Sequence, residues 1–150
     1  MYTSITVKQV LRTKGHGFFA VGPEATAYDA LELMAEKNIG ALLVVDNGRP
    51  IGVFSERDYA RKVILKGKSS KNTPVRALMS SPLITVTSDT TLRDCMVLMT
   101  DKRIRHLPVL DHEVLMGVVS IGDVVHAIIS EQESTIEELE EYIAGTGYRA

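Results

Sequence analysis

Two copies of a Ser-x-x-Asp sequence carry the chemistry that this chain could perform. Ser55 and Asp58 form the first copy and Ser120 and Asp123 form the second, and each copy follows a glycine and two apolar residues. A serine at the end of a strand with an acid three residues later is typical of a helix cap. A helix N-terminus also attracts anions such as phosphate, and an aspartate can accept hydrogen bonds from the hydroxyls of a ribose. The motif is therefore compatible with a cap, a ligand site or both.

Three cations near these motifs could bind phosphate. Arg57 lies inside the first motif, where a solvated charge on the helix surface is an equally good interpretation. Arg105 and His106 precede an apolar Leu-Pro-Val sequence that would fix them at the mouth of a cleft. The first repeat has Gly40 and Ala41 at their positions, so we predict a tighter second site and a weaker, roomier first site suited to a dinucleotide. Imidazolium would tighten the second site below the pKa of His106, near 6.5 if unperturbed.

The elements that must position these residues are repeated as well. Residues 21–58 match residues 86–123 at a constant offset and without a gap. Two repeats are too few for a solenoid, which needs at least three. They predict an α/β (α+β) fold of two small units that pack through their sheets and are related by a pseudo-twofold axis.

Apolar periodicity predicts the order β-α-β-β-α in each repeat. In the first repeat we predict strands at 18–21, 42–45 and 51–54 and helices at 27–37 and 56–66. In the second we predict strands at 83–86, 107–110 and 116–119, a helix around 95–99 and a helix at 121–130. We predict short helical turns at 6–11 and 74–79, before each repeat, and a hairpin at Asn47-Gly48. We also predict an acidic amphipathic helix after residue 130, which packs either on the pair of units or on a second subunit.

This pattern divides the chain into four segments. We predict a first unit at residues 1–67, a polar linker at 68–73, a second unit at 74–132 and an acidic C-terminal helix and tail at 133–150. A unit of this size alone buries little apolar surface, so we expect the two units to need each other for stability.

Composition excludes several classes of function. The net charge of −2 gives no general attraction for nucleic acid or an anionic membrane, and no apolar run is long enough to span a bilayer. The single Cys95 fits a core position, and one cysteine fits a reducing compartment, so we expect a cytoplasmic protein. His16, His112 and His126 lack the spacing of metal ligands, so we expect no metal site.

Two tandem β-α-β-β-α units that each end in Gly-x-x-Ser-x-x-Asp resemble a pair of cystathionine-β-synthase (CBS) domains, also called a Bateman module. The Ile-Arg-His-Leu-Pro-Val sequence at 104–109 is also typical of that family. The resemblance covers residues 6–131, and because no catalytic or transporter domain is attached, the chain resembles the stand-alone CBS-pair proteins. It implies two clefts for adenine nucleotides (AMP, ADP or ATP, and in some members NAD or S-adenosylmethionine), and dimerisation through helices.

The resemblance also implies a role for each motif residue. Asp58 and Asp123 would hold ribose hydroxyls, and Ser55 and Ser120 would lie near the phosphate or ribose. Apolar residues of the strands would sandwich the adenine. These candidates are Phe19, Val21, Ile39 and Ala41 on one side and Ile84, Val86, Ile104, Leu107 and Pro108 on the other.

Three hypotheses of function follow. The leading hypothesis is a non-catalytic sensor, without catalytic residues or a catalytic cofactor, that forms a homodimer. This sensor binds adenine nucleotides and signals to an unknown partner protein by a change of conformation. The second is phosphotransfer or hydrolysis, which lacks a general base, a Walker loop and a metal cluster. The third is a ligand-free dimerisation or interaction module in which Ser-x-x-Asp is a helix cap alone.

Overall fold

A computed structural model describes residues 4–80 and 83–145, which form two compact units. The Asp58 unit contains residues 17–80, 83–85 and 112–115, and the Asp123 unit contains residues 4–16, 86–111 and 116–145. The predicted division of the chain follows the sequence repeat. The compact units differ from that division, because the residues before the first repeat belong to the unit that carries the second motif.

A three-stranded sheet organises the Asp58 unit, with strand order β1 (Ala20–Val21), β2 (Ala41–Asp46) and β3 (Arg49–Ser55). β1 is parallel to β2, and β2 is antiparallel to β3, with Ala41 opposite Ser55. The turn between β2 and β3 contains Asn47 and Gly48, both at positive φ, as expected for an Asn-Gly hairpin. The hairpin therefore places Ser55, the first residue of the first motif, beside the start of β2.

Helix α2 (Ala27–Lys37) forms where its sequence predicts it. The Thr26 hydroxyl accepts a hydrogen bond from the Asp29 N–H at 3.1 Å, and the Asp29 carboxylate accepts one from the Thr26 N–H at 3.4 Å, which completes a capping box. The helix ends at Asn38, which adopts the left-handed conformation with φ of 54°. Its buried face packs in one core with residues of the sheet and of the segment 63–78: Ala27, Ala30, Met34, Leu42, Val44, Phe54, Val63, Val75 and Leu78.

The second helix of this unit has mixed geometry. The α-helical part, α3, spans only Glu56–Tyr59, and the chain continues as a π-helix over Ala60–Ile64. The predicted helix at 56–66 is thus helical up to residue 64, with the wider π geometry in its second half. A short 3-10 helix at Val75–Ala77 is the predicted turn before the second repeat.

The Asp123 unit begins with helix α1 (Val7–Lys14), which extends beyond the predicted turn at residues 6–11. Backbone hydrogen bonds attach it to this unit, since the Val7 N–H donates to the Thr90 carbonyl at 2.8 Å and the Leu92 N–H donates to the Ile5 carbonyl at 2.9 Å. Helix α4 (Leu92–Lys102) is capped by Thr91. It is the counterpart of α2.

The strands of the second repeat are partly as predicted. β4 (His106–Asp111) and β5 (Val114–Ser120) form the expected hairpin. The strand predicted at 83–86 is wrong, because Val86 forms only an isolated parallel bridge to Val109. Its counterpart in the first repeat, predicted at 18–21, is shortened to the two residues of β1. The bridge consists of the Val86 N–H on the Pro108 carbonyl at 3.0 Å and the Leu110 N–H on the Val86 carbonyl at 2.8 Å. A mixed α/β fold with two sheets and five α-helices is confirmed for the described residues.

Helix α5 runs from Ile121 to Gly145 without interruption. The prediction of a separate helix after residue 130 is therefore wrong, and the physical reason is that no proline or glycine stands between residues 123 and 144 to end the helix. Residues 146–150 of the predicted tail lie outside the described residues.

Candidate functional site

The first motif forms a hydrogen-bonded cap at the start of α3. The Asp58 carboxylate accepts hydrogen bonds from the N–H and the hydroxyl of Ser55, both at 3.0 Å, and the Asp58 N–H donates to the Ser55 hydroxyl at 3.1 Å. Asp58 is only 9% exposed. The interpretation of Ser-x-x-Asp as a helix cap is thus confirmed here, with an aspartate that is unusually buried for its type.

The second motif repeats this geometry at the start of α5. The Ser120 N–H donates to Asp123 Oδ2 at 2.9 Å, and the Asp123 N–H donates to the Ser120 hydroxyl at 3.1 Å. The Asp123 side chain is 23% exposed, so its carboxylate is the more accessible of the two motif carboxylates. The long helix behind it directs its N-terminal dipole towards this carboxylate.

A lysine neutralises the first motif carboxylate. The Lys62 ammonium lies 3.2 Å from Asp58 Oδ1 and donates to the Leu78 carbonyl at 2.9 Å. The Ser80 hydroxyl donates to the same carboxylate oxygen at 3.2 Å. Residues 78–80 are therefore linked to the motif through side chains as well as through the pairing of Ser80 with Val53.

A different lysine neutralises the second motif carboxylate. The Lys14 ammonium donates to Asp123 Oδ2 and to the Val118 carbonyl, both at 2.6 Å. Burial by itself raises the pKa of Asp123, but hydrogen bonds from Lys14 and Ser120 hold that pKa below its ordinary value. Asp123 is therefore a carboxylate at neutral pH, and α1 is attached to the start of α5 through it.

The two motif glycines permit this arrangement. A Cβ atom on Gly52 would lie 2.7 Å from Met79 Sδ and 3.0 Å from the Ser80 carbonyl oxygen, and one on Gly117 would lie 3.1 Å from a methyl carbon of Leu11. Each glycine therefore allows a neighbour to approach more closely than a side chain at that position would permit. The neighbour of Gly117 is α1 itself, and the neighbours of Gly52 are the residues that follow the 3-10 helix.

The predicted phosphate ligands are placed unequally. Arg57 and Arg105 are exposed. The Arg105 carbonyl accepts a hydrogen bond from the Ile121 N–H at 2.9 Å, and the Gly40 carbonyl accepts the matching bond from the Glu56 N–H at 3.0 Å. The backbone of Arg105 thus lies beside the first turn of α5, next to the second motif.

His106 is half-buried at the start of β4. Burial and the neighbouring charges of Lys14 and Arg105 lower its pKa below 6.5, although Asp123 acts in the opposite direction. The value near 6.5 applies to an unperturbed ring, and that condition is not met, because the ring is desolvated and the positive charges of Lys14 and Arg105 oppose its protonation. Its tightening effect on phosphate would need a lower pH.

The adenine candidates of the first repeat differ in exposure. Val21 and Ile39 are half-buried and pack against the core of the Asp58 unit, and Ala41 lies opposite Ser55. Phe19 is 45% exposed, and the Lys37 ammonium lies 5.4 Å from the centre of its ring. Phe19 therefore offers an accessible aromatic surface, whereas Val21 and Ile39 offer only part of theirs.

The candidates of the second repeat lie deeper. Val86 and Leu107 are 4% and 0% exposed, and Pro108 is also buried, so these side chains fill the core and present little surface to a ligand. Ile84 and Ile104 are half-buried. Ile84 falls in the Asp58 unit, and Ile104 falls in the Asp123 unit.

A surface cleft of about 500 Å³ lies within the Asp123 unit, between α1 and the first turns of α5. Lys14 and Asp123 line it together with apolar residues such as Val10 and Ala127. The sequence did not indicate this cleft or its lysine. Lys62 follows Asp58 by four residues, a spacing that could have revealed its pairing, whereas nothing local connects Lys14 to Asp123.

Other reactive groups offer no competing site in the described part of the chain. No cluster of three or more His, Cys, Asp or Glu residues suited to a metal ion occurs among residues 4–80 and 83–145. The Cys95 thiol is buried, so Cys95 is a core residue as predicted. Burial together with Asp94 raises the pKa of this thiol to about 11. Within those same residues, none of the helices combines the length and the apolar character needed to cross a bilayer.

Comparison with known proteins identifies the class of protein. A family model of the CBS domain matches residues 6–64 and 75–130, the two repeats described above. The chain therefore belongs to the CBS domain family and contains two CBS domains in tandem, as its resemblance implied.

Particular relatives agree with this assignment. The chain is 42% identical to the CBS domain-containing protein CBSX3, mitochondrial, of Arabidopsis thaliana, over 98% of this chain and 75% of that protein. It is 36% identical to the CBS domain-containing protein YhcV of Bacillus subtilis, over 69% of this chain and 73% of that protein. A solved structure from Burkholderia ambifaria, a candidate signal-transduction protein with CBS domains, is 47% identical with a TM-score of 0.81 and covers 85% of this chain and 96% of that chain.

Proposed function

We propose that this protein is a non-catalytic regulatory module that binds adenine nucleotides (AMP, ADP or ATP, or NAD) at its two Ser-x-x-Asp motifs and signals to a partner protein. One observation carries the proposal. Each motif presents a carboxylate at the start of a helix, and each carboxylate lies within 3.2 Å of a lysine ammonium.

This arrangement suits the chemistry of a nucleotide. A carboxylate accepts hydrogen bonds from a ribose diol, and an adjacent ammonium can neutralise phosphate. The start of a long helix such as α5 adds N–H groups and a favourable dipole. Half-buried apolar side chains near each motif, Val21 and Ile39 in the first repeat and Ile104 in the second, supply apolar surface for a base.

The contacts of each motif also supply a route for a signal. Asp123 holds α1 through Lys14, and Asp58 holds residues 78–80 through Lys62 and Ser80. A ligand that donates hydrogen bonds to either carboxylate must compete with these contacts. Binding would therefore change how firmly α1 or residues 78–80 are held, and a partner protein would respond to that change. We place the module in the cytoplasm as a homodimer, on the single cysteine and the exposed apolar side chains of α5.

A panel of nucleotides in a thermal unfolding assay tests the proposal. A ligand at about a hundred times its dissociation constant stabilises a protein by roughly 2.7 kcal/mol, so AMP, ATP or NAD should raise the melting temperature clearly. Guanine and pyrimidine nucleotides should raise it much less. Mass spectrometry of nucleotide released from the purified protein would identify a ligand that copurifies.

Variants connect binding to the motifs. Asp58→Ala should remove binding at the first site and Asp123→Ala at the second, because each loses the acceptor of the ribose hydroxyls. The matched Asp→Asn variants keep the shape and an acceptor oxygen, and they should weaken binding less. If the double alanine variant binds nucleotide like the parent, the motifs are helix caps and the proposal fails.

A ligand-free interaction module is the second candidate function. The observation in its favour is that both carboxylates already have protein partners: Ser55, Ser80 and Lys62 around Asp58, and Ser120 and Lys14 around Asp123. A melting temperature that no nucleotide changes would support this candidate over the first.

A further inference from the structure

We infer that Lys14 makes the Asp123 site select ligands that carry a phosphate on the ribose, so that it discriminates nucleotides from nucleosides. The inference rests on the proposed function and goes beyond it, because Lys14 lies before the first repeat and outside both motifs. The sequence separation between Lys14 and Asp123 is 109 residues.

The position of the Lys14 ammonium is fixed by the fold. It donates to the Val118 carbonyl and to Asp123 Oδ2, each at 2.6 Å. The next residues are also attached to β5, because His16 Nδ1 lies 2.8 Å from the Met116 carbonyl oxygen. Gly117 allows this segment to approach, since a Cβ atom there would lie 3.1 Å from Leu11 and 3.6 Å from the backbone of His16.

The ammonium retains capacity for a ligand. A lysine ammonium has three N–H donors, and its two hydrogen bonds leave a third. The side chain of Lys14 is 34% exposed, and it lines the cleft between α1 and α5. A phosphate entering this cleft would therefore meet a donor that is already positioned.

Electrostatics favours a cation at this site. The Asp123 carboxylate is the acceptor that a ribose diol would use, but a carboxylate also repels a phosphate attached to the same ribose. Lys14 offsets that repulsion, so the site can hold diol and phosphate together. Adenosine competes with Lys14 for Asp123 as AMP does, but it carries no phosphate and so gains no compensating contact from Lys14.

The Asp58 site provides an internal contrast. Its lysine, Lys62, stands four residues after Asp58, and the matching position of the second repeat is Ala127. The two sites thus obtain their cations from different parts of the chain, and a change at Lys14 should alter the Asp123 site alone.

Calorimetric titration of the full chain with AMP and with adenosine tests the inference. We expect Lys14→Met to weaken AMP at the Asp123 site by about tenfold to a hundredfold, the range expected for a hydrogen bond to a charged group. Adenosine should bind that site as well as before or more tightly. Lys14→Arg should keep most of the AMP affinity, and Lys8→Met, an exposed lysine on the same helix, should behave like the parent.

The outcomes separate this inference from the proposed function. If the parent binds AMP and Lys14→Met weakens AMP and adenosine equally, or weakens neither, then Lys14 does not select phosphate and only the inference is overturned. If the parent binds neither AMP nor adenosine, the inference fails, and the thermal unfolding panel with ADP, ATP and NAD decides whether the proposed function fails as well. Thermal unfolding of each variant shows whether it is folded, and Lys14→Gln serves as a second neutral variant if Lys14→Met unfolds.

Discussion

Asp58 and Asp123 occupy matching positions of the repeat, but their surroundings differ, so the two residues contribute unequally to the free energy of unfolding. Asp58 is 9% exposed and accepts hydrogen bonds from Ser55 and Ser80 beside Lys62. Asp123 is more exposed and has Ser120 and Lys14 as partners. A buried carboxylate that is removed leaves its donors without a partner and without water, which costs more than the same loss at the surface.

We therefore expect Asp58→Ala to destabilise the protein more than Asp123→Ala. The loss at Asp58 should be about 2 kcal/mol and the loss at Asp123 about 1 kcal/mol, within the range for loss of a helix cap. Urea unfolding of both variants without ligand measures the two values. The Asp58→Asn variant is the control, because its amide oxygen can still accept from the Ser55 N–H, and equal losses at the two positions would contradict the expectation.

His106 should make stability depend on pH in the acidic range. Its pKa in the folded protein is lowered below the ordinary 6.5, first by burial and then by Lys14. The unfolded chain therefore takes up a proton more readily than the folded protein does. The stabilisation is fully present above pH 6.5 and is lost as pH falls towards the folded pKa.

Melting temperatures between pH 7.5 and pH 5 test this sign. The parent should lose more stability over this interval than His106→Gln, which cannot titrate, and NMR titration of the imidazole should give a midpoint below 6.5. His112, which is exposed in a turn, provides the control variant His112→Gln. A parent that becomes more stable on acidification would show that the pKa of His106 is raised.

At the residue scale, the distance along the chain decides what the sequence can predict. The Ser-x-x-Asp caps and the Thr26 cap link residues three positions apart, and local stereochemistry determines them. The contact of Lys14 with Asp123 spans 109 residues, so it depends on where the folded chain places α1. The burial of Leu107 is likewise a property of the assembled core, although its family motif marked it as a ligand contact.

At the scale of elements, helices with strong caps were predictable, whereas helix ends that no capping residue, glycine or proline marks were not. α2 matches its predicted bounds because Thr26 begins it and Asn38, in the left-handed conformation, ends it. No residue marks an end near Ser130, and α5 continues to Gly145. The strand predicted at 83–86 failed because an apolar run of that length does not show by itself whether a neighbour strand will pair with it.

In a single copy of the chain, below the concentration at which copies pair, the second half of α5 should be a distinct region of low stability. Side chains from Gln132 to Ile143 are exposed, so few contacts hold this part of the helix. We expect Ser134→Pro to unwind the turns around it, since proline in a helix interior costs about 3 kcal/mol, while the global melting temperature changes little. Hydrogen exchange should show faster exchange beyond residue 130 and unchanged exchange in the first turn of α5.

The control for this variant is Ser134→Ala, which keeps the helix and should leave the exchange pattern unchanged. Nucleotide binding at Asp123 should be the same in both variants, because the motif lies three turns away. A large fall of the global melting temperature in Ser134→Pro would show instead that the second half of α5 belongs to the cooperative core.

At the scale of the whole molecule, the sequence repeat predicted two units and a mixed α/β fold, and the family comparison confirms two tandem CBS domains. The repeat could not predict that residues 4–16 join the unit of the second motif. The order of the elements along the chain follows the sequence repeat. The unit in which a helix packs depends instead on which apolar surface is available to cover its apolar face. Val7 and Leu11 are 0% and 1% exposed, so the apolar face of α1 is fully buried.

The outer face of α5 is exposed and available for contacts with another molecule. Val125, Ile129, Ile136, Leu139 and Ile143 are between 45% and 57% exposed, and they recur at spacings of three, four or seven residues, so they form one apolar stripe along the helix. Such a stripe is stabilised when a second copy covers it. We therefore expect the protein to be a dimer at micromolar concentration, measured by light scattering.

Substitutions on the stripe and a salt series make this prediction specific. Ile136→Ser combined with Leu139→Ser should shift the mass towards a monomer, whereas Ser134→Ala, off the stripe, should not. Two copies joined along α5 bring together the glutamates at 131, 133, 137, 138, 140 and 141, so added salt should strengthen the dimer by screening their repulsion. A monomer mass for the parent would contradict the dimer, and a dimer that salt weakens would show that α5 pairs with a basic surface instead.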